Sequence, residues 1–201
     1  LKVLLMTDNS NFGPQPIPSW LQQLTNLRHL SLKLTGRTGT IPDWFFPSLN
    51  QLEILDMDWN RISGTIPSSI ANVTTLQHLL LNRNWLEGTI PSEVSNLPNL
   101  DTIMVDNNRL VGELMACQAS SVVADCGNPL LGCPNCNSET TEVTCPCCTR
   151  CCYDENELCN TEDWITFIIN HKLKDNPTMY YPSTYKASDY TPKDSFVAPS
   201  P

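Results

Sequence analysis

Basic residues are scarce in this chain of 201 residues. Lys and Arg number 12 against 21 Asp and Glu, which gives a formal net charge of -9 at pH 7. Because nucleic-acid binding depends on clustered Lys and Arg, this composition argues against a nucleic-acid partner. The sequence also lacks a nucleophile elbow, a phosphate-binding loop and a metalloprotease helix motif. We therefore expect a protein that is not an enzyme and needs no cofactor.

Long apolar runs are absent too. A membrane-spanning helix needs roughly 18 or more consecutive apolar residues, and the nearest approach is the short stretch from Trp164 to Ile169. We therefore expect no membrane span in these residues. The chain begins at Leu1, inside a repeat, with no initiator Met and no signal peptide. We expect a fragment whose N-terminal part is missing, with any membrane anchor lying upstream.

Cysteine is missing from the first 116 residues, and a repeat occupies them. One unit reads Leu52-x-x-Leu55-x-Met57-x-x-Asn60-x-Ile62-x-Gly64-x-Ile66-Pro67, and it returns after 24 residues and again after another 24. Two upstream units, which start at Leu1 and Leu27, follow the same template at spacings of 26 and 25 residues. A period of this length is typical of a solenoid.

Each position of the unit has a physical role. The LxxLxL stretch predicts a short strand whose alternate residues point inward, so stacked units form a parallel sheet over an apolar interior. The Asn turns inward, where its amide bonds backbone groups that no ladder reaches; Thr35 replaces it in the second unit. Apolar residues at intervals of three after each Ile-Pro predict a short helical or 3₁₀ turn on the convex side. We expect Pro47 to break this turn in the second unit.

The pattern LxxLxLxxNxLxGxIP resembles the plant-type leucine-rich repeats of receptor ectodomains and secreted inhibitor proteins, from Leu1 to about Met115. The resemblance implies an α/β fold, a leucine-rich-repeat solenoid with a parallel sheet on its concave side and short helical or 3₁₀ turns on its convex side. We divide the chain into this solenoid over 1–115, a disulfide-rich cap over 116–160, and a last part over 161–201. That last part is expected to be a short packed segment followed by an extended or disordered tail.

All ten cysteines fall in one window. The last unit of a solenoid exposes an apolar end, and a covering segment too small for its own core can be held by disulfides. An even count in an extracellular chain favours five bridges, whose pairing the spacing does not decide. The predicted disulfide cysteines are Cys117, Cys126, Cys133, Cys136, Cys145, Cys147, Cys148, Cys151, Cys152 and Cys159.

Zinc is the competing interpretation of these cysteines. Cys133-x-x-Cys136 and Cys148-x-x-Cys151 each have zinc-knuckle spacing, and the two pairs would supply four ligands. A redox site is less favoured because no βαβ context surrounds either pair. Compartment and cysteine usage favour disulfides and no metal.

The cysteine window also carries two resemblances. The run Cys145-Pro-Cys-Cys-Thr-Arg-Cys-Cys152 and the preceding Ala124-Asp125-Cys126 resemble the cap of repeat proteins from diatoms and related algae. Such proteins are secreted, or form the outward-facing ends of membrane-anchored receptors. The stretch Cys126-Gly-Asn-Pro-Leu-Leu-Gly-Cys133 is similar to the cysteine-paired caps of plant receptors. Both resemblances imply an extracellular setting.

A patch of outward-facing side chains on the third to fifth units is the candidate ligand site. Strand residues that do not enter the core face outward across the concave sheet. The patch combines an aromatic anchor, hydrogen-bonding groups and mixed charge, which suits a peptide, a protein loop or a glycan. Its members are Asp56, Asp58, Trp59, His78, Asn82, Arg83, Met104 and Asp106. The alternative is that these side chains are polar because they meet water, although Trp59 and Trp85 are unusual residues for an exposed turn.

Catalysis by this patch is not expected. Asp56 and Asp58 are two apart on one strand and point the same way, at a separation compatible with paired acid and base chemistry. A shallow open sheet does not desolvate carboxylates enough to tune a pKa, so we expect both to be solvated. His29 and His78 share a column two units apart, about 10 Å by strand spacing, which is too far to share a metal.

The leading hypothesis is an extracellular recognition module that binds a protein, peptide or oligosaccharide on its concave sheet, as the outer end of a receptor or as a secreted inhibitor. The alternative is an adhesion or cell-wall component, or a surface-binding protein that uses rows of Thr and Asn at the turns. A third hypothesis, an intracellular zinc-capped scaffold, requires reduced cysteines and bound metal. The sequon Asn72-Val73-Thr74 predicts a glycosylation site on the convex side.

Overall fold

The computed structural model describes residues 1–9, 13–125 and 143–151. These residues all lie within one compact unit of the chain. The predicted tail over 161–201, and the predicted disulfide positions Cys126, Cys133, Cys136, Cys152 and Cys159, lie outside the described residues. Among those that are described, no helix is long and apolar enough to cross a membrane.

Within the described residues, the concave face is a parallel sheet of seven strands in chain order, each paired with the strand one unit away. The strand leucines are in register, since Leu30 pairs with Leu4 on one side and with Leu55 on the other. The five predicted strands are confirmed, and two further strands from the cap extend the sheet. The strands are β1 (Val3–Leu5), β3 (His29–Ser31), β5 (Ile54–Asp56), β7 (His78–Leu80), β9 (Thr102–Met104), β11 (Ser121–Ala124) and β13 (Arg150–Cys151).

A second parallel sheet, which the sequence pattern did not predict, follows the inward-turning Asn of each unit. It has six strands in the part of the chain that the structure describes, and we call it the flank sheet. Its strands end near the Gly of the motif, as at Gly64, whose φ of 72° lies in the left-handed region that suits glycine. The strands are β2 (Gln15–Pro16), β4 (Arg37–Thr40), β6 (Arg61–Gly64), β8 (Trp85–Thr89), β10 (Arg109–Glu113) and β12 (Val143–Thr144).

The convex side is built from short turns that follow the Ile-Pro pairs. Three of them are 3₁₀ helices, Ser19–Gln23, Ser68–Asn72 and Ser92–Asn96, as predicted. In the second unit the turn is instead α1 (Phe45–Ser48), and Pro47 lies inside it. Our expectation that Pro47 breaks this turn is wrong, because a proline in the first turn of a helix loses no intrahelical hydrogen bond.

The core is one continuous stack of aliphatic side chains between the two sheets and the convex turns. In the fourth unit, for example, Leu76, Leu79, Leu81 and Leu86 are fully buried and Ile90 is nearly so. Burial of each such side chain contributes about 1.5–3 kcal/mol. Because every unit packs only on its neighbours, the stability of the solenoid is close to a sum over units and interfaces.

Buried asparagines join consecutive units, as the motif predicts. Asn84 donates from Nδ2 to the carbonyls of Met57, Leu81 and Asn82, and its Oδ1 accepts the backbone N–H of Ile62 at 3.0 Å. Asn60 and Asn108 make the corresponding bonds. We call this series the asparagine ladder.

The second unit solves the same problem without an Asn. The hydroxyl of Thr35 donates to the carbonyl of Leu32, which is the role of the missing amide. The guanidinium of Arg37, only 3% exposed, donates to the carbonyls of Thr35 at 3.2 Å and Pro16 at 3.3 Å. Burial lowers the pKa of Arg37. Thr35 and Arg37 together therefore replace one asparagine.

The repeated hydrogen bonds at the turns end at Asp125, although β12 and β13 of the cap still pair with the two sheets. In the interior units, the two N–H groups at the turn bond carbonyls of the next unit, as Arg83 does with Asp106 and Asn84 does with Asn107. At the last unit the two carboxylate oxygens of Asp125 accept these bonds instead, from the N–H groups of Asn107 at 2.8 Å and Asn108 at 3.0 Å. A side chain thus satisfies backbone donors that a further unit would otherwise have satisfied.

Candidate functional site

The middle column of the concave face is buried. Its side chains stand between the inward leucines of each strand, and in the second to fifth units they are at most 4% exposed: Ser31, Asp56, Leu80 and Met104. Leu5, in the same column of the first unit, is exposed. The next position along three of the units holds Asp58, Asn82 and Asp106, which are 1–2% exposed. Five of the eight predicted site residues are therefore buried, whereas His78, Trp59 and Arg83 retain partial exposure.

The buried charges form an ionic network across three strands. Nζ of Lys33 lies 3.0 Å from Oδ2 of Asp58, and both side chains are almost fully buried. Nη1 of Arg83 lies 3.5 Å from Oδ1 of the same carboxylate. Because one carboxylate is held between cations from both neighbouring units, this network fixes the register of the second, third and fourth units against one another. Lys33 was not included in the predicted site, although its opposite charge in the column of Asp58 signalled the pair.

Asp56 sits beside this network in a desolvated environment. Burial raises its pKa to about 6, against a smaller lowering by Lys33. Its Oδ1 accepts the backbone N–H of Asp58 at 3.1 Å, and its Oδ2 accepts the hydroxyl of Ser31 at 3.3 Å. The expectation that Asp56 and Asp58 are solvated is wrong, because neighbouring side chains of the curved sheet enclose them. Burial likewise raises the pKa of Asp106.

The aromatic anchor of the predicted site packs against an arginine. The guanidinium carbon of Arg83 lies 5.2 Å from the ring centroid of Trp59, a cation–π distance. Both residues have a positive φ of 55°, at the turn position just before the ladder asparagine. Such a backbone is strained for a bulky side chain, and it projects the pair at the rim where the concave strands end.

A second group lies at the opposite ends of the strands. Arg28 forms an ion pair with Glu53 at 2.6 Å, and Nε2 of His29 lies 3.2 Å from the other oxygen of Glu53. His78 shares the column of His29, as predicted, with Ile54 between them. Burial lowers the pKa of His78, and this effect exceeds the raising influence of Asp101.

The structure therefore divides the predicted site into four parts. Asp56, Asp58 and Asp106 lie in or next to the buried network with Lys33 and Arg83, while Trp59 and Arg83 present a stacked pair at one rim. His78 lies at the other end of the same sheet. Met104 and Asn82 are buried near the middle of the concave sheet. The role of each residue in ligand binding stays a prediction.

Two disulfides close the described part of the cap. Cys117 is bonded to Cys147, and Cys145 is bonded to Cys148, with Cα atoms 5.0 and 5.4 Å apart. Bridges of this kind persist in oxidising compartments. Because Cys148 is already bonded to Cys145, it is not the thiolate that a zinc knuckle with Cys151 would need.

Comparison with known proteins agrees with this architecture. A family profile described as Leucine Rich Repeat matches residues 51–73 and 75–97. These residues are leucine-rich repeats. The receptor protein-tyrosine kinase CEPR1 of Arabidopsis thaliana is 34% identical over 82 residues, which cover 41% of this chain and 8% of the kinase. The match to such kinases covers only their leucine-rich repeats, and the chain spans less than a tenth of the curated relatives it matches.

Solved leucine-rich-repeat structures are similar to this chain over a larger share of its residues than the curated relatives are. The BIR2 ectodomain from Arabidopsis thaliana has a TM-score of 0.53 and 26% identity, over 74% of this chain and 72% of that one. A plant ice-binding protein has a TM-score of 0.56 and 31% identity, over 62% and 40%. The Arabidopsis receptor kinase HAESA, solved with the peptide hormone IDA and the co-receptor SERK1, has a TM-score of 0.55 and 26% identity, over 61% and 20%. These likenesses are to the extracellular leucine-rich repeats of receptor proteins, and the disulfides agree with such a setting.

Proposed function

We propose that this chain is a non-enzymatic recognition module that binds a peptide or a segment of a protein on its concave sheet. The Trp59–Arg83 pair at the rim carries the proposal. Trp and Arg are the side chains most enriched among binding hot spots, and here they are held together by a strained turn and an ion pair with Asp58. The leucine-rich repeats of HAESA, which resemble this chain, were solved with a peptide hormone.

The buried network supports a binding role over a catalytic one. Asp58 is held between Lys33 and Arg83, so its carboxylate is committed to two ion pairs. Such a network rigidifies the sheet and pre-organises the side chains at its rim, which lowers the entropy lost on binding. A rigid face of mixed charge suits a ligand that offers backbone hydrogen bonds, such as an extended peptide.

Selection of peptides against the oxidised protein tests this proposal. Peptides are selected from a random displayed library, and their dissociation constants are measured by calorimetry for wild type, Trp59→Ala and Arg83→Lys. We expect a weakening of about 10-fold or more for each variant, the effect of a hot-spot substitution. Trp20→Ala is the matched control, because Trp20 is 46% exposed on the convex turn Ser19–Gln23.

The outcomes separate the possible ligands and faces. Peptides that bind Trp59→Ala as tightly as wild type, or that lose affinity only with Trp20→Ala, would overturn the concave-sheet proposal. Charged and neutral oligosaccharides are titrated in parallel. If an oligosaccharide binds more tightly than the selected peptides, and if Trp59→Ala weakens that binding, the ligand class is an oligosaccharide and not a peptide.

A second candidate function is binding to a regular solid surface such as ice. Thr40, Thr65 and Thr89 follow the motif glycine in three consecutive units, at or just after the end of a flank-sheet strand, and all three are exposed. Each γ-methyl packs over the glycine of the next unit, within 2.8 Å of the place of a β-carbon at Gly64, 3.0 Å at Gly88 and 3.4 Å at Gly112. Branching at Cβ restricts χ1, so this packing holds the hydroxyls in one repeated orientation.

The likeness to a plant ice-binding protein favours testing this second function directly. Inhibition of ice recrystallisation is measured for wild type, Thr65→Lys and Gln77→Lys, where Gln77 is an exposed residue at the edge of the concave face. Loss of inhibition with Thr65→Lys alone would support the threonine row. An absence of inhibition by wild type would refute the second candidate and leave the first unaffected.

A further inference from the structure

Asn72 begins the only N-linked glycosylation sequon in the sequence, Asn72-Val73-Thr74. The other Asn-x-Thr triplet, at Asn176, has proline in the middle, which the acceptor motif does not allow. Asn72 is the last residue of the 3₁₀ turn Ser68–Asn72 on the convex side. We propose that Asn72 carries an N-linked glycan, a modification independent of the ligand that the concave sheet binds.

The fold presents the acceptor side chains and hides the residue between them. Asn72 and Thr74 are exposed, whereas Val73 is fully buried in the core. Nδ2 of Asn72 donates to the carbonyl of Ser69 at 2.8 Å. A primary amide carries two hydrogens on this nitrogen, so it keeps one N–H donor after it gains a sugar. The turn can therefore retain this bond in the modified protein.

The transfer reaction is balanced without a redox partner. The donor is an oligosaccharide joined through its first N-acetylglucosamine to a lipid diphosphate. Nδ2 of Asn72 forms a bond to the anomeric carbon of that sugar, and the bond from the same carbon to the diphosphate oxygen breaks. Nδ2 loses one proton, and the lipid diphosphate leaves. A transferase of the secretory pathway supplies the catalysis, and the protein supplies only the acceptor.

The order of modification and folding follows from Val73. An acceptor peptide must enter the transferase site as an accessible strand of chain, and the buried Val73 anchors this turn to the core. The sugar must therefore be added before the third and fourth units pack. After folding, the glycan projects from the side of the solenoid opposite the concave strands, so it does not cover Trp59 or Arg83.

Asn96 provides a matched control for the site. It ends the 3₁₀ turn Ser92–Asn96 of the next unit, as Asn72 ends its own turn, and its Nδ2 donates within that turn to the carbonyl of Ser92. The following residues are Leu97 and Pro98, so it is not an acceptor. Asn96→Gln therefore perturbs an equivalent turn without touching a sequon.

The test is the intact mass of the full chain secreted from a eukaryotic host, before and after treatment with peptide N-glycosidase. We expect a glycan mass on wild type, Thr74→Ser and Asn96→Gln, and none on Asn72→Gln or Thr74→Ala. Peptide mapping after the enzyme should show Asp in place of Asn at position 72 alone. A wild-type protein of unmodified mass, or a glycan that persists in Asn72→Gln, would overturn the proposal. Retained glycan in Thr74→Ser shows that loss in Thr74→Ala is due to the hydroxyl and not to misfolding.

Discussion

Replacement of ladder asparagines by alanine should destabilise the solenoid in a graded order. Oδ1 of Asn60 accepts two buried backbone N–H groups, from Arg37 at 2.9 Å and from Thr35 at 3.3 Å. Oδ1 of Asn84 accepts one, from Ile62. An unsatisfied buried donor costs about 1–3 kcal/mol. We therefore expect Asn60→Ala to cost about 2–6 kcal/mol and Asn84→Ala about 1–3 kcal/mol.

The carbonyls released by Asn60→Ala should add little, because each keeps another donor. The Leu32 carbonyl still accepts from the Thr35 hydroxyl, and the Met57 carbonyl still accepts from Nδ2 of Asn84. The Asp58 carbonyl still accepts the N–H of Leu34. The graded order therefore depends on N–H donors alone.

Urea unfolding followed by circular dichroism measures the free energy of unfolding, and hydrogen exchange locates the defect. The amide protons of Thr35 and Arg37 should lose protection in Asn60→Ala and keep it in Asn84→Ala. Asn9→Ala is the control, since Asn9 is exposed and water can replace its bonds to Met6 and Thr7. An Asn84→Ala variant that is less stable than Asn60→Ala, or an equally large effect at Asn9, would refute the role assigned to the Oδ1 acceptors.

Three further predictions follow from the packing and charges. Gly64→Ala should destabilise the protein in thermal unfolding by about 1 kcal/mol more than Gly39→Ala does. Both glycines have a positive φ, but only at Gly64 does the new methyl group meet Thr40, at 2.8 Å. Equal costs for the two variants would argue against this contact. Lys33→Met should lower the free energy of unfolding by about 3–5 kcal/mol, since it leaves Asp58 short of one buried cation. Arg28→Met should lower it by about 0–1 kcal/mol, because the pair of Arg28 with Glu53 is partly exposed. Similar costs for the two variants would show that Lys33 is not buried in solution. The pKa of Asp56 is about 6 in the folded state and about 4 in the unfolded state, so the folded state binds more protons between these pH values. The free energy of unfolding therefore falls as the pH rises from about 4 to about 6. Asp56→Asn should flatten this pH dependence, and an unchanged pH dependence would show that Asp56 is not its source.

The repeated positions were predictable because one physical constraint acts on each of them in every unit. Leu79 must enter the core and Asn84 must bond the preceding unit, so both recur at fixed spacing and reveal the solenoid. The flank sheet was not predicted, since four of its six described strands carry a glycine, a residue that is uncommon in strands. The strand Ser121–Ala124 was missed for a related reason: it extends the sheet without repeating the motif.

The columns of the candidate site were predictable, but burial within them was not. Alternation along a strand places Asp56 and Met104 on the concave face, and the structure agrees. Whether such a side chain meets water depends on how tightly the sheet curves and where long neighbours such as Lys33 reach. Those are properties of several units together, and the sequence of one unit does not contain them.

A single side chain, the Asp125 carboxylate, ends the repeated hydrogen bonding at the turns of the solenoid. Interior units offer two backbone N–H groups to whatever comes next, so nothing in their own hydrogen bonding limits how many can be added. Asp125 occupies those two donors, so the strands that follow it join the sheets without continuing the turn hydrogen bonds of the repeat. A duplicated block of 24 residues placed upstream of Asp125 should add one unit to the solenoid and leave the hydrogen bonds of Asp125 unchanged. The length of the binding face is therefore adjustable without redesign of its end.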